Sequence, residues 1–346
     1  MPFQPKFTIT PGINKSLIEI ERVRGFLDAI KIKEDWFSSI QKEALILESH
    51  YSTHIEGTAL SLEQAKRILD GKKVKGVRED DRKELLNYKK AMGFVSKYLG
   101  KEDPITEGLI REIHKILVRG VRGGQAEPGK YRMVQNYVVN SKTKKIIYTP
   151  PPPLEVPPLM REFVEWLNDD KDISDIMVAG IAQFQFVHIH PFLDGNGRSA
   201  RLLSTLILYK TGYDFKRLFT LSEYYDKDRS AYYEAIQSVR EKNMDMTFWL
   251  EYFVEGLRSQ MSTIKEKSQR VIKYDSVLQK ASSMGLLERQ VKALKYIIQN
   301  ESISRSEYVE KLKVSLRTAN YDLSLLETKG FIKRTGTGRT IRYVLG

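Results

Sequence analysis

The sequence predicts a mainly α-helical fold, interrupted by one short β-hairpin and followed by a small α+β domain. Apolar residues recur at the three- and four-residue spacing of a helical face over most of the chain. Between Gly123 and Pro153 they alternate with polar residues instead, which indicates strands. The last sixty or so residues combine three short helical segments with two alternating ones, so a separate mixed domain is expected there.

The chain length of 346 residues exceeds what one ordinary hydrophobic core supports, so two or more domains are expected. Helical spacing and shifts in polarity predict four regions. They are an N-terminal helical region at 1–103, a helical core at 104–256 with a hairpin at about 130–149, a linker helix at 257–284 and a mixed domain at 285–346.

The composition narrows the classes of partner and of chemistry. Lysine and arginine outnumber aspartate and glutamate by 57 to 44, and a formal net charge of +13 favours nucleotides, nucleic acid or acidic protein surfaces. Because the chain has no cysteine, disulfides, thiolate metal sites and cysteine nucleophiles are excluded. The sequence has neither an N-terminal apolar leader nor a long uncharged apolar run, so we expect a cytoplasmic protein without membrane contact.

Helices dominate the first region. A helical pattern runs from Asn14 to Ser49, and the stretch STHIEG at Ser52–Gly57 ends it, with a glycine where helix C-caps are common. Ser61 is a candidate N-cap for the next helix. Further helices are predicted at about 80–98 and 106–118.

A hairpin pattern follows. The segments GKYRMVQNYVV and KKIIYTPPPP flank the polar stretch NSKT, which predicts a β-hairpin. Proline cannot occupy a central strand, so the four prolines close the hairpin and lead the chain out along an edge. Helices then resume, ending in a polar connecting helix, over the ranges 157–168, 174–190, 198–211, 230–252 and 257–280.

The stretch HPFLDGNGRSAR, residues 190–201, joins two of these apolar helices. Asn196 and Gly197 fall just before the second helix, whose first turn has unpaired N–H groups and a partial positive charge. Gly195 and Gly197 let the backbone bend so that successive amides point at one anion, and phosphate is the obvious occupant. Arg198 and Arg201 lie three residues apart on one helix face, where both can fork onto phosphate oxygens.

Two further residues of this loop suit phosphate chemistry. The Asp194 carboxylate is a poor neighbour for bare phosphate but a good one when Mg²⁺ lies between them. The His190 imidazole, at the end of the preceding helix, is a ready general base near neutral pH. A base, a metal carboxylate, a phosphate-binding loop and two arginines together predict phosphoryl-type transfer to a hydroxyl.

The same stretch matches the signature HPFx(D/E)GNGRxxR at every fixed position, and the sequence therefore resembles the Fic family. The resemblance covers roughly residues 35–255 and implies a Fic-type helical core in which the hairpin is the flap. It also implies a protein adenylyltransferase, which transfers AMP from the co-substrate ATP, with Mg²⁺, to a Ser, Thr or Tyr hydroxyl of a target protein.

The resemblance gives each residue of the motif an expected role. His190 is expected to deprotonate the target hydroxyl, and Asp194 to hold Mg²⁺ against the α- and β-phosphates. The resemblance also implies that the α-phosphate is contacted by Gly195, Asn196 and Gly197. The β/γ end of the triphosphate is expected to bind to Arg198.

The stretch STHIEG resembles the inhibitory motif (S/T)xxxE(G/N) of the same family. Ser52 and Glu56 lie four residues apart on one helix face. In the family such a glutamate pairs with the second arginine of the signature, here Arg201, so that ATP binds in a non-productive pose. Because the motif precedes the catalytic loop, the chain resembles the N-terminally inhibited class.

Two more features follow from the resemblance. The flap hairpin is expected to bind an extended segment of the target protein by strand addition. The stretch SAYYEAI resembles the helix on the nucleobase side, and either Tyr232 or Tyr233 packs on adenine.

The C-terminal segment, with three helices and a two-stranded wing, resembles a winged-helix domain. From Gly285 onward, twelve Lys or Arg face six Asp or Glu. Arg317, Asn320 and Lys333 are candidate DNA contacts, but winged helices also bind proteins, so both partner classes stay open. A homodimer is also left open.

Two alternatives to adenylyl transfer remain at this stage. In the first alternative, the protein is a DNA-binding regulator whose Fic domain senses nucleotide or modifies only itself. In the second, it is a Fic enzyme that transfers another phosphate-containing group. Kinase-type relatives replace the second glycine of the signature, and Gly197 is present here, which favours AMP transfer.

Overall fold

The computed structural model describes residues 3–30, 34–98, 103–121, 127–139, 143–169, 171–213 and 217–346. Two compact units divide the chain, Met1–Lys265 and Glu266–Gly346. Within the described residues, no helix combines the length and apolarity needed to cross a bilayer. The described chain is mostly helical, as the sequence predicts.

The first helices of unit 1 begin at residues whose hydroxyls accept a backbone N–H, since Thr10, Ser61 and Thr106 each cap a helix in this way. The continuous helix expected from 14 to 49 is wrong, because Ile30 is extended and ends a first helix. The sequence pattern misses this break because the apolar residues of both helices follow the same helical spacing. The helices are α1 (Pro11–Ala29), α2 (Glu34–Ile55), α3 (Leu62–Leu69), α4 (Glu79–Lys97) and α5 (Glu107–Val118).

The predicted hairpin is present but its strands are short. Strand β1 (Val138–Val139) pairs antiparallel with β2 (Ile146–Tyr148), and residues 140–142 of the turn lie outside the described residues. The strand expected from Gly129 onward is not formed, because the backbone of Arg132 bonds to the carbonyl of Pro191 instead of to a partner strand.

After the hairpin, a 3₁₀ turn at Pro153–Glu155 leads into the remaining helices of unit 1. The single helical region expected over 230–252 is interrupted, because Asn243 and Met244 adopt φ of 52° and 62°, which an α-helix cannot continue through. The helices are α6 (Val156–Asn168), α7 (Asp175–Ile189), α8 (Asn196–Lys210), α9 (Leu221–Lys227), α10 (Arg229–Glu241) and α11 (Thr247–Ser283), and the boundary between the units falls within α11.

The core of unit 1 surrounds α7, which is buried along nearly its whole length. Helix α11 approaches it at Gly180, where an added Cβ would lie 2.9 Å from both Leu250 and Phe253. At the same point the indole N–H of Trp249 donates to the carbonyl of Gly180 over 2.8 Å. Helix α8 also packs against α7, and the loop 190–195 connects the two helices.

Among its described residues, unit 2 contains the last part of α11, three further helices and a small antiparallel sheet. The helices are α12 (Glu288–Asn300), α13 (Arg305–Leu312) and α14 (Leu316–Thr328), and the strands are β3 (Ser302–Ile303), β4 (Ile332–Thr335) and β5 (Arg342–Leu345), in the order β3-β5-β4. Buried Asp322 accepts hydrogen bonds from Arg289, Gln290 and Tyr308, which fixes α14 against α12 and α13. Strand β3 was not predicted from the sequence, because two residues are too few to show the alternation of apolar and polar side chains typical of a strand.

Candidate active site

The loop between α7 and α8 reverses the chain through two left-handed residues. His190 follows the last turn of α7 at φ 53°, a conformation uncommon for a residue with a side chain. Gly195 precedes α8 at φ 79°, and an added Cβ there would lie 2.8 Å from Val118. Helical bonding begins at this glycine, since Ser199 N–H donates to its carbonyl. Asn196 and Gly197 therefore belong to the first turn of α8, whereas the sequence predicted that they precede it.

Asn196 braces this loop internally. Its side-chain oxygen accepts from the Phe192 N–H over 2.9 Å, and its side-chain N–H donates to the Phe192 carbonyl over 2.8 Å. Phe192 itself is fully buried. The amide group of Asn196 is thus occupied by the backbone of the loop, and its contact with an α-phosphate stays a prediction.

His114 is a supporting residue that the sequence analysis missed. Its Nε2 donates to the carbonyl of Asp194 over 2.9 Å, and its Nδ1 accepts from the Gly129 N–H over 3.0 Å. Its ring stacks on Phe192 at a centroid distance of 3.6 Å. Burial lowers the pKa of His114 to about 4, so the ring is neutral at pH 7 and keeps this tautomer. A signal existed, because His114 lies beside Ile113 and Leu117 on the apolar face of α5.

The imidazole of His190 is neutral and has a fixed tautomer. Burial is the main cause that lowers its pKa to about 4, opposed by the hydrogen bond with the carbonyl of Val187. That carbonyl can only accept, so Nδ1, at 3.3 Å, carries the proton. The neutral ring therefore keeps its lone pair on Nε2, the nitrogen available to take a proton.

Arg198 forms a buried ion pair with Glu84. Their atoms Nη1 and Oε2 are 2.9 Å apart, and both side chains are almost fully buried. The second Nη of Arg198 lies 3.4 Å from Oδ1 of Asp194. Glu84 was not predicted from the sequence, although it falls on the buried face of α4 with Leu85 and Tyr88, where an acidic residue needs a partner.

Arg201 is held by both residues of the predicted inhibitory motif. Its Nε donates to the Ser52 hydroxyl and its Nη2 to the Ser52 carbonyl, each over 2.8 Å. The same Nη2 lies 2.8 Å from Oε1 of Glu56. Burial acts to lower the pKa of Arg201, but Glu56 together with Tyr232 and Tyr88 outweighs it and raises the pKa overall. The structure thus brings together three residues that the sequence analysis connected.

The Glu56 carboxylate also lies at the N-terminus of α8. A Cβ built on Gly197 would overlap Oε1 of Glu56, so the carboxylate fits only because this position is glycine. The N-terminus of a helix attracts negative charge through its free N–H groups and its dipole. Glu56 therefore occupies the region where the sequence predicts phosphate.

The Asp194 carboxylate is compatible in chemistry with the predicted Mg²⁺ contact. Its Oδ1 accepts from the Gly195 N–H over 2.6 Å, which orients the carboxylate, and a quarter of the side chain is exposed. Within the described residues, no group of three or more His, Asp or Glu side chains could enclose a metal. One carboxylate supplemented by substrate phosphates is a usual Mg²⁺ environment, so this donor set fits that ion.

The two candidate adenine-side tyrosines differ in exposure. Tyr232 is buried and stacks on Tyr225 at a centroid distance of 4.3 Å. Tyr233 is 50% exposed, and burial of its hydroxyl together with the nearby Glu56 carboxylate raises its pKa. Of this pair, Tyr233 offers the ring that a ligand beside Glu56 can reach.

The hairpin exposes an unusual amount of apolar surface. Met133 is 80% exposed, and the flap residues Val134, Tyr137, Val139, Ile146 and Ile147 are also exposed. Contiguous exposed apolar side chains on a monomer commonly mark an interaction site.

Comparison with known proteins identifies the domain. Residues 104–208 match the model of the Fic/DOC family. The chain is 30% identical over 247 residues to Protein adenylyltransferase Fic from Drosophila grimshawi, which covers 68% of this chain and 49% of the relative. It is 33% identical over 203 residues to the protein of that name from Culex quinquefasciatus, covering 58% of this chain and 39% of the relative. The chain thus spans about half the length of these relatives, or less.

Solved structures extend the comparison beyond that domain. A Fic family protein from Desulfovibrio desulfuricans G20 aligns over 99% of this chain and 98% of its own, with a TM-score of 0.68 and 25% identity. Fic-1 from C. elegans shares the fold over 76% of this chain and 73% of its own, with a TM-score of 0.60 and 24% identity. A helical core that carries a hairpin and a His-to-Arg loop at a helix N-terminus defines the class of Fic-domain proteins. The chain belongs to the Fic/DOC family, which confirms the resemblance and the mainly helical fold.

Proposed function

We propose that this protein transfers the AMP moiety of ATP to a Ser, Thr or Tyr hydroxyl of a target protein. The observation that carries the proposal is the neutral imidazole of His190, which keeps its lone pair on Nε2, in the loop that leads into the N-terminus of α8. The names of the curated relatives support the same activity, since they are protein adenylyltransferases.

The chemistry assigns a destination to each atom. Nε2 of His190 accepts the proton of the target hydroxyl, and the hydroxyl oxygen forms a bond to the α-phosphorus. The bond between the α-phosphorus and the bridging oxygen breaks, and pyrophosphate leaves with that electron pair. The N–H groups at the start of α8 and the positive end of its dipole stabilise the charge on the α-phosphate. Mg²⁺, held by Asp194, would neutralise charge on the α- and β-phosphates when bound.

The contact between Glu56 and Arg201 is proposed to restrain this activity. Arg201 cannot bind a phosphate while its guanidinium is satisfied by Ser52 and Glu56. The Glu56 carboxylate also competes for the N-terminus of α8, because two anions repel one another at one site. ATP is then expected to bind with its triphosphate displaced from the line of attack, as in the N-terminally inhibited class.

The hairpin is proposed to dock the target protein. Its exposed apolar side chains and short strands suit an extended peptide that adds as a further strand, with main-chain bonds for affinity and side-chain contacts for selectivity. Tyr233 is proposed to pack on the adenine ring, since it is the exposed member of the tyrosine pair.

Labelled ATP tests the reaction and its alternatives together. The Glu56→Gly variant is incubated with Mg²⁺ and ATP labelled on either the α- or the γ-phosphorus. AMP transfer predicts that protein retains the α-label and not the γ-label. Retained γ-label would indicate phosphorylation, and binding without any transfer would indicate that the domain only senses nucleotide.

A second function is favoured by one surface of unit 2. Helix α14 exposes Leu316, Arg317, Asn320 and Tyr321, and Tyr321 is 64% exposed. The acidic residue within this stretch, Asp322, is buried on the opposite face. A cation, an amide and an aromatic ring on the first half of an exposed helix suit a DNA groove and its phosphates. We propose that α14 contacts DNA and that Lys333, exposed on β4, contributes a phosphate contact.

Fluorescence anisotropy with a labelled duplex tests this surface. The double variant Arg317→Ala/Asn320→Ala is expected to weaken binding about 10-fold or more, with a shallower dependence on salt. Lys292→Ala is the matched control, since Lys292 is an exposed cation on α12 that pairs with Glu288. Equal losses in the two variants, or binding insensitive to salt, reject α14 as the DNA contact.

A further inference from the structure

Arg132 connects the hairpin to the catalytic loop. The Arg132 side chain is fully buried together with its guanidinium group. Nε of Arg132 donates to the carbonyl of His190 over 2.9 Å, and its backbone N–H donates to the carbonyl of Pro191 over 2.9 Å. One residue thus grips the loop at two consecutive peptide groups.

The other end of the same guanidinium holds the hairpin. Nη1 of Arg132 donates to the carbonyl of Val134 over 3.2 Å, and Nη2 donates to the carbonyl of Pro151 over 2.5 Å. Val134 precedes the first strand and Pro151 follows the second, so both bases of the hairpin bond to one planar group. Only a guanidinium offers donors in such a fixed fork, and a lysine ammonium cannot reproduce it.

The left-handed conformation of His190 gives this contact a consequence for the imidazole. The direction of a side chain depends on the backbone angles of its residue, and φ of 53° is strained unless the surroundings hold it. The bond from Arg132 to the carbonyl of His190 fixes the peptide plane that follows the imidazole. A change in this bond therefore tilts the base relative to the hairpin.

The second strand is tied to the same helix independently. The hydroxyl of Tyr148 donates to the carbonyl of His188 over 2.8 Å, and the guanidinium of Arg240 lies 3.6 Å from the Tyr148 ring centroid. Loss of Arg132 is therefore expected to loosen the hairpin without releasing it. A variant of Arg132 therefore changes the position of the hairpin without unfolding it.

We propose that Arg132 is a positioning residue, which sets the distance between a target hydroxyl laid along the hairpin and Nε2 of His190. The proposal rests on the proposed transfer reaction. A misplacement of about 1 Å between reacting groups costs on the order of 100-fold in rate, so Arg132 governs the transfer step and not the binding of ATP.

The test uses the full chain with Glu56→Gly as the parent, to which Arg132→Lys or Arg132→Met is added. Arg258→Lys is the matched control, because Arg258 bonds to Glu19 and Glu255 away from the loop. Rates of AMP incorporation at saturating ATP, ATP affinity by calorimetry and unfolding temperature are measured for each. We expect both Arg132 variants to lose about 100-fold in rate with ATP affinity unchanged, and the control to keep its rate. A rate per folded molecule equal to the parent's, or a matching loss of ATP affinity, overturns the proposal.

The resonances of the His190 ring, recorded by NMR, separate this proposal from the proposed function. If the parent transfers no AMP, the proposed function fails and the positioning of His190 is judged from these resonances alone. A shifted ring signal and faster exchange of hairpin amides in Arg132→Lys support the tie. An unchanged ring signal in that variant, which retains the charge and is the milder change, overturns it.

Discussion

The carboxylate of Glu56 lies 2.8 Å from Nη2 of Arg201, and both groups meet at the N-terminus of α8. Arg201 is nearly fully buried, while a quarter of the Glu56 side chain remains exposed. The pair is thus open to displacement from the Glu56 side only, since Arg201 has no room to leave. Substitutions at Glu56 are consequently the most direct way to release the arginine.

Removal of the Glu56 carboxylate is expected to raise AMP transfer. Glu56→Gly frees Arg201 and the start of α8 together, and one preorganised group at a transition state is worth on the order of 10²–10³ in rate. Glu56→Gln retains the bulk of the side chain and loses its charge, so we expect a smaller increase. Incorporation of α-labelled AMP checks both variants. Equal activity in the wild type and in Glu56→Gly would remove the inhibitory role.

The pH dependence of transfer follows from His190. Because its pKa is lowered to about 4, the imidazole stays unprotonated as the pH falls from about 7 to about 5, whereas an ordinary histidine would protonate near 6.5. The rate of the Glu56→Gly variant should therefore fall little over this range. Initial rates in buffers of constant ionic strength measure it. A tenfold fall centred near pH 6.5 would mean that the ring is exposed and ordinary.

His114 links acid stability to the loop that contains Asp194. Its folded pKa of about 4 lies below its ordinary value of 6.5, so between these values the unfolded chain binds a proton that the folded chain does not. Stability should fall as the pH drops from about 6.5 to about 4, by up to about 3 kcal/mol for this residue, with no such contribution above 6.5. Urea unfolding of the wild type and of His114→Gln should give a shallower pH slope in the variant. Identical slopes would contradict the assignment.

The buried pair of Arg198 and Glu84 is expected to be costly to break. Glu84→Gln leaves a buried guanidinium without its full counter-charge, and such losses cost about 3–5 kcal/mol. Glu79→Gln on the same helix is the control, because Glu79 is exposed and lies 3.8 Å from Arg82, so its loss costs less than about 1 kcal/mol. Denaturant midpoints compare the two variants. Similar shifts would mean that Arg198 finds another partner.

The motif at residues 190–201 could be recognised in the sequence because its residues are contiguous and their spacing is fixed. Residues 190–201 join two helices with apolar faces, and the positions of the glycines and arginines follow from that frame. The contact of Ser52 and Glu56 with Arg201 spans more than 140 residues, and only the second motif made it predictable.

The supporting residues could not be read in the same way. Glu84 lies 114 residues from Arg198, and His114 lies 80 residues from Asp194, so no local pattern joins them. Each shows only as a polar side chain on an apolar helix face, which says that a partner exists without naming it. The lengths of β1 and β2 were not predicted for a related reason. Arg132 bonds to the carbonyls of His190 and Pro191, so the segment before β1 lies against that loop instead of pairing as a strand.

Intact-mass spectrometry of Glu56→Gly, incubated with Mg²⁺ and each of the four nucleoside triphosphates in turn, measures the central claim most directly. The protein should gain the mass of one or more nucleoside monophosphates, with ATP as the preferred donor. Adding His190→Ala to the same variant should prevent the gain while ATP still binds. An unchanged mass with all four donors, or an equal gain without the imidazole, would contradict the claim that His190 is the base for AMP transfer at the start of α8.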